Sequence, residues 1–272
     1  MQEWIDTIKE IVTDHINCRK QILQLAKSTI IKQYRGAAFG WAWAILKPSI
    51  TISVFYFAFS VGLRHGKPVE GYPYFLWLIA GFIPWFFMRD TVTSGAGSLR
   101  KFSYLVRRIK YPVDTIPTFV CLSELIVNLG LFLILIVIFT LFGYPPDIYY
   151  LQIPVLYLMA FIFFSFWSLF SGMLSCISKD FLNLVRATIT ALFWLSGIIY
   201  NVQKIDNENL RRVMLFNPIT ILVNGFRNTL IYHKWLWETP HQLRNYFIVT
   251  FIMMVLALWA YKKLKHEISD VL

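Results

Sequence analysis

Six stretches of this chain are apolar over roughly the length needed to cross a bilayer core, which takes about 20 helical residues. They cover residues 36–63, 74–98, 116–142, 151–177, 184–200 and 246–261, the last at the lower length limit. What lies between them is patterned differently. In residues 1–35, Ile5, Ile8, Ile11 and Val12 form one stripe at helical spacing, and Ile22, Leu25, Ala26 and Ile30 form another. Arg19, Lys20, Lys27, Lys32 and Arg35 lie among them. Such a helix suits the membrane interface; the plainer reading is a helix packed on another subunit. Residues 201–244 are too polar for one more span and too apolar for a free loop. Leu215-Phe-Asn-Pro218 followed by Ile219–Phe226 predicts two short helices broken at Pro218. Non-helical backbone at membrane depth is tolerated only inside protein or beside water, so a re-entrant pair would cap the bundle; an external hairpin is the alternative. The fold class expected is therefore all-α integral membrane: six transmembrane helices, an N-terminal amphipathic interfacial helix (1–35) and two short re-entrant helices before the last span. Residues 36–272 form a single transmembrane domain, without internal repeats.

Composition supports this class. Hydrophobic residues make up 57% and charged residues 15%, against about 45–50% and 25% in soluble domains. Net charge is +11, which in a soluble protein would raise nucleic-acid binding. Here the basic residues flank apolar runs, as the positive-inside rule expects, so they argue for orientation and anionic lipid headgroups and against nucleic acid. With the N-terminus inside, inner segments carry sixteen Lys and Arg and outer segments eight, Arg64 and Lys67 among them, and the turn 143–150 has none. Both termini are expected in the cytoplasm. Cys18, Cys121 and Cys176 give neither a disulfide framework nor a zinc site, and no cleavable signal is visible.

Catalytic motifs are missing. The nearest look-alike of a phosphate-binding loop, Gly62-Leu-Arg-His-Gly66-Lys67-Pro68, is one residue short and has Pro where a hydroxyl should hold Mg²⁺. There is no HExxH and no GxSxG, and the five His are scattered and expected at the periphery. The chain is expected to hold no cofactor or metal and to catalyse nothing, so its energy source would be an ion gradient or a partner.

Three groups of residues remain as candidates. In the insert 99–111, Phe102, Leu105, Val106 and Ile109 form an apolar stripe among Arg100, Lys101, Arg107, Arg108 and Lys110. Such a helix can enter a partner's groove or simply anchor the inner face. Arg89, Asp90, Glu124 and Arg186 fall in the inner halves of their spans. Intramembrane charges are costly and face protein or water, so these four suit one cluster, formed either by pairing or around an anionic head group. Lys47 is expected to snorkel to the inner interface. Among the span aromatics, which include Trp77, Trp85, Trp167 and Trp194, most suit the lipid belt or helix packing, and a minority could line a conduit.

Taken in order, these pieces resemble the permease subunits of ABC-2-type exporters over nearly the whole chain. The resemblance is carried by Gly40-Trp-Ala-Trp-Ala-Ile-Leu-Lys-Pro48, Pro84-Trp-Phe-Phe87, Ser98-Leu-Arg-Lys-Phe102 with Ile109-Lys-Tyr-Pro112, Ser178-Lys-Asp180, and Asn217-Pro218 with Phe226-Arg227. Lys47 stands where the family often has Asn, and Lys179 where it often has Arg. The branch that fits best is the polysaccharide exporters. Within it, Pro68-Val-Glu-Gly-Tyr-Pro-Tyr-Phe75 and Leu230-Ile-Tyr-His-Lys-Trp235 look most like wall teichoic acid exporters of Gram-positive bacteria; O-antigen or capsule export is the alternative.

The resemblance implies a homodimer in the bacterial cytoplasmic membrane with two copies of a separate ATPase that holds the ATP and Mg. It implies export of a lipid-diphosphate-linked anionic polymer. ATPase coupling would fall to Arg100, Lys101, Phe102, Tyr104, Leu105, Arg107, Arg108, Lys179 and Asp180. Substrate would come in by Lys32, Arg35, Trp41, Trp43 and Lys47, pass the polar cluster, and leave past an outer gate at Phe216, Asn217, Pro218, Phe226 and Arg227. Two other classes stay open: a secondary transporter, which needs coupling-ion residues at mid-membrane, and a membrane-embedded transferase, for which Arg89, Asp90 and Glu124 are the one candidate cluster.

Overall fold

The computed structural model describes residues 2–63 and 68–271. The phosphate-loop look-alike and the outer charges Arg64 and Lys67 fall wholly or largely outside them. Apart from one isolated bridge, Val69 with Tyr72, the described residues are helical or connecting.

The amphipathic N-terminus forms two helices, α1 (Gln2–Asn17) and α2 (Arg19–Tyr34), broken at Cys18. Residues 36–42 are a turn, with Gly36 at φ 85° and Gly40 at φ 47°, so these glycines shape the approach to the first span rather than helix packing. That span, α3 (Trp43–Phe57), continues as a π-helical turn, Ala58–Leu63. Next come α4 (Tyr74–Ala96), two short helices α5 (Ser98–Lys101) and α6 (Ser103–Ile109), and α7 (Thr115–Leu141). Lys110, left-handed at φ 53°, ends α6: the amides of Lys110 and Tyr111 return to the carbonyls of Val106 and Leu105, an αL-type stop ahead of Pro112. The chain goes on with α8 (Ile153–Ile177), α9 (Lys179–Leu195), α10 (Glu208–Met214), α11 (Pro218–Arg227) and α12 (Pro240–Val271).

Five of these helices are long and apolar enough to cross a membrane, against the six expected: α3 with its π turn, α4, α7, α8 with the turn before it, and α12. The difference falls on the fifth expected span, 184–200. Its helix, α9, starts earlier at Lys179 and has 17 residues. The polar Lys179–Asp180 start is as helical as the rest, and Gly197 (φ 65°) turns the chain just after it. The last span is longer than its apolar run because α12 carries on through its lysines. Pro218 stands at the first turn of α11, where its missing N–H is no loss, so the break lies where the sequence put it.

α4 sits at the centre, with α7, α8, α9 and α11 packed around it. Small residues permit the close approach. A Cβ added to Gly95 would lie 2.1 Å from Ser168 Oγ, and one on Gly172 3.3 Å from the Gly95 carbonyl. One buried polar group knits three helices together: Asn128 of α7 donates to the Ile83 carbonyl beside Pro84 (2.7 Å) and accepts from Tyr157 of α8 (2.8 Å).

The two chain ends meet at one end of the bundle. Lys262 and Lys265 of α12 pair with Glu3 and Glu10 of α1. The C-terminus of α8 lies there too, held by Arg100. α9 starts at this end and finishes at the opposite one, where Ser196 accepts from Asn217 and the Gly197 carbonyl from Arg227.

Candidate functional site

A polar cavity of about 420 Å³ opens among α2, α3, α4, α7 and α9. Lys47 comes from α3, Arg89 and Asp90 from α4, Glu124 and Asn128 from α7, and Arg186 from α9. All four residues of the expected inner cluster thus line one space, together with Lys47 and Trp43. Their pairing is local. Arg89 folds onto its neighbour Asp90 through two bonds, Nε to Oδ1 at 2.7 Å and Nη2 to Oδ2 at 3.0 Å, with the guanidinium 5.0 Å from the Phe86 ring centre. Among the described residues, Lys47, Glu124 and Arg186 form no ion pair. Lys47 lies 5.9 Å from the ring centre of Trp43. Three cations face two carboxylates, so the lining favours an anion. Of the other expected entrance residues, Trp41 packs against Tyr34, ring centres 5.2 Å apart, and lines an apolar trough next door. Lys32 and Arg35 are exposed and line neither space.

The expected coupling residues divide into two sets. Phe102 and Leu105 are buried in a core shared with α2, α7 and α12, Phe102 edge-on to Phe119. Arg100 donates to the carbonyls of Ser175 and Cys176 and so caps the end of α8. These three fasten the insert to its own bundle, because an apolar stripe beside three spans finds cover there first. Lys101, Tyr104, Arg107, Arg108, Lys179 and Asp180 stay exposed at the same end. The surface offered to a partner is therefore mainly cationic and aromatic, with Ile109 of the apolar stripe exposed beside it.

At the opposite end, Phe226 and Arg227 are buried. Arg227 donates to the carbonyls of Gly197 and Ile198 and lies 3.5 Å from the ring centre of Trp77. Asn217 caps α11 through the amide of Ile219 and donates to Ser196, whereas Phe216 is exposed. The two stretches that suggested a particular polymer interlock here. Tyr72 bonds His233 at 2.9 Å, His233 pairs with Asp147, and Tyr149 packs on Trp235 at 5.0 Å. These residues serve as a clasp between segments, and a clasp says little about cargo.

One group was not legible in the sequence. His15 places Nδ1 3.2 Å from the buried carboxylate of Asp114, which precedes α7, and Nε2 2.8 Å from Thr118. Burial works against the charged ring, but hydrogen bonds to Asp114 and to the Ile11 carbonyl, with the nearby charges of Asp114 and Asp14, outweigh it and raise the His15 pKa. With Glu10 bonding Tyr261 and Lys265, this ties α1 to both α7 and α12.

With that geometry in view, residues 20–231 match the family model described as ABC-2 type transporter. The O-antigen export system permease protein RfbA of Myxococcus xanthus is 23% identical over 228 residues, covering 82% of this chain and 85% of the relative. The protein of the same name from Klebsiella pneumoniae is 23% identical over 241 residues, 88% of this chain and 90% of the relative.

Proposed function

The chain belongs to the ABC-2 type transporter family, and from that premise we propose that it is the membrane permease of a polysaccharide exporter driven by a separate ATPase. The observation that carries the reading is the cavity joining Lys47, Arg89, Asp90, Glu124 and Arg186: a polar, net cationic space inside an apolar bundle, suited to a charged head group. The cargo is a lipid-diphosphate-linked polymer. The relatives are named for O-antigen export, which supports an O-antigen-type polysaccharide over wall teichoic acid as the polymer. The stretches that suggested teichoic acid, around Tyr72 and His233, are accounted for by their contacts with one another.

The chain crosses the membrane six times, with α9 as the short sixth crossing and both termini in the cytoplasm. Two findings support this: α1 is paired to the end of α12, and α9 runs from that end to the other. The basic balance supports placing that end inside. α10 and α11 close the outer end as a short helical pair. Two copies assemble through α3 and α9, whose faces around Val54, Phe57, Leu184 and Trp194 are exposed. Each copy docks one ATPase subunit, which holds ATP and Mg, on Lys101, Tyr104, Arg107, Arg108, Lys179 and Asp180. The diphosphate arrives past Trp41, Trp43 and Lys47, and its charge is met by Lys47 and Arg186. Arg100, Phe102 and Leu105 pass the ATPase motion into α8 and the inner core, which they already grip.

The test is reconstitution with the ATPase. The expected result is co-purification and ATPase activity stimulated by a lipid-linked polysaccharide. Substrate movement by the purified chain alone would instead mark a secondary transporter and sink this reading.

A further inference from the structure

We infer that the apolar trough between α2, α3 and α7 holds the lipid tail of the exported molecule while the cavity beside it holds that molecule's anionic head. The inference rests on the exporter reading and names the part of the site that takes the lipid. The trough has a volume of about 800 Å³ and is walled by Ile30 and Ile31 of α2, Ile45 of α3, and Ile126, Gly130 and Ile134 of α7. Lys27 and Trp41 bring its only polar side-chain atoms. Ala44, Val127 and Leu131 line both spaces, so the two meet along a common wall. Whatever fills both must join a hydrocarbon chain to a compact polar group, and the three cations against two carboxylates make that group an anion.

Depth separates this occupant from ordinary lipid. Glu124, the charged lining residue of α7, lies about 14 Å along α7 from its start at Thr115, at 1.5 Å per residue. A bulk phospholipid keeps its head in the interfacial layer, and a head this deep has to be carried there. The division of labour follows from the solvent. A tail already in hydrocarbon gains little by moving into an apolar trough, so affinity comes from the head. The trough supplies position, keeping the tail beside the head as the head moves inward.

Gly130 gives a clean test. Gly130 lines the trough and no heavy atom lies within 4 Å of a Cβ added there, so a side chain at this position starts in open space on the trough wall. Gly130→Trp should accumulate and co-purify with the ATPase as the wild type does, and Gly130→Ala controls for the loss of glycine itself. The probe is a polyprenyl diphosphate sugar with a diazirine on its tail, applied to the permease–ATPase complex in nanodiscs. The wild type should be labelled on α2 and α7, with unlabelled polyprenyl diphosphate sugar competing and phosphatidylglycerol not. Labelling and substrate-stimulated ATPase should fall about tenfold in Gly130→Trp, the scale of an overpacked site, and stay near wild type in Gly130→Ala. Wild-type labelling in Gly130→Trp overturns the inference. So does equal competition by phosphatidylglycerol, which would make the trough a bulk-lipid groove. A failure of the exporter reading looks different: the wild type itself would show no stimulation by the lipid-linked polymer, and this inference would fall with it.

Discussion

α4 and α3 are both strongly apolar without a distinct polar face, yet 83% of the span window of α4 is buried inside the protein against 6% for α3. In water that difference would be unstable, because an apolar helix all round has to be covered. In a bilayer, lipid tails are as apolar as leucine, so hydrophobicity cannot say whether protein or lipid surrounds a span. What separates the two helices is detail. α4 carries Gly81 and Gly95 at tight contacts and meets Arg227 and Asn128, whereas α3 has no interior glycine and buries only Ile52. Small residues and satisfied polar groups mark the helix held by protein; their scarcity marks the helix left for lipid or a second copy.

The largest effect expected from breaking this contrast is at Arg227. Replacing it with Ala removes two bonds to buried carbonyls and the stacking on Trp77 of α4. The cost should be about 3 kcal/mol, read as loss of folded protein in a detergent-challenge assay. Val54→Ala on the exposed face of α3 should cost little in the same assay, and equal losses would erase the distinction. Gly95→Ala comes next. Its Cβ would sit 2.6 Å from Ser168 Cβ and 3.1 Å from Ser168 Cα, an overpacking of about 2 kcal/mol. Adding Ser168→Gly should return part of that, since it removes the nearer atoms and leaves the Cα.

A smaller effect separates the two halves of the coupling region. Arg100→Ala uncaps α8 and should cost about 1 kcal/mol of stability. Arg108→Ala, on the exposed surface, should leave stability unchanged and instead reduce ATPase retained on co-purification. If both variants behaved alike, the division of this region into an inward grip and an outward docking face would be wrong.

Much of this was readable from sequence where one principle dominated. Long apolar runs located α4, α7 and α8 to within a few residues, and Pro218 marked the start of α11. The inner charges converge on one cavity, as the cost of isolated intramembrane charge requires. The rest turned on choices between neighbours that a single sequence does not rank. Arg89 takes adjacent Asp90 rather than Glu124, because the nearer carboxylate costs less chain ordering. Hydropathy set the start of α9 too late, because a short helix with a polar start raises the average only past that start. Phe102 and Leu105 looked like docking residues, since periodicity shows that a face is apolar without saying what covers it. His15 and Asp114 are about a hundred residues apart and neither sits in a motif, so their meeting was open only to the fold.

That last pair yields the smallest prediction. The His15 pKa is raised, so its stabilising contribution is complete below the unfolded value near 6.5 and is lost as pH climbs through the higher folded value. The charged groups acting on it are Asp114 before α7 and Asp14 on α1, with the Glu10–Tyr261–Lys265 network joining α1 to α12 nearby. Asp14 is also raised, by burial and then by Asp114 and Glu10. It too favours acid, but in a carboxylate window that starts near 3.8, well below that of His15. Between pH 6 and 8.5 the change should therefore report His15. Amide exchange in α1, corrected for intrinsic rates, should speed up toward pH 8.5 by an amount worth less than about 1 kcal/mol, since the partly exposed His15 is screened by solvent. His15→Gln should flatten the profile. α8, which holds no Asp, Glu or His, should show no such slope. An equal slope in α8 would mean that α1 docking and the bundle titrate as one unit, removing the contrast between a fixed interior and an attached periphery.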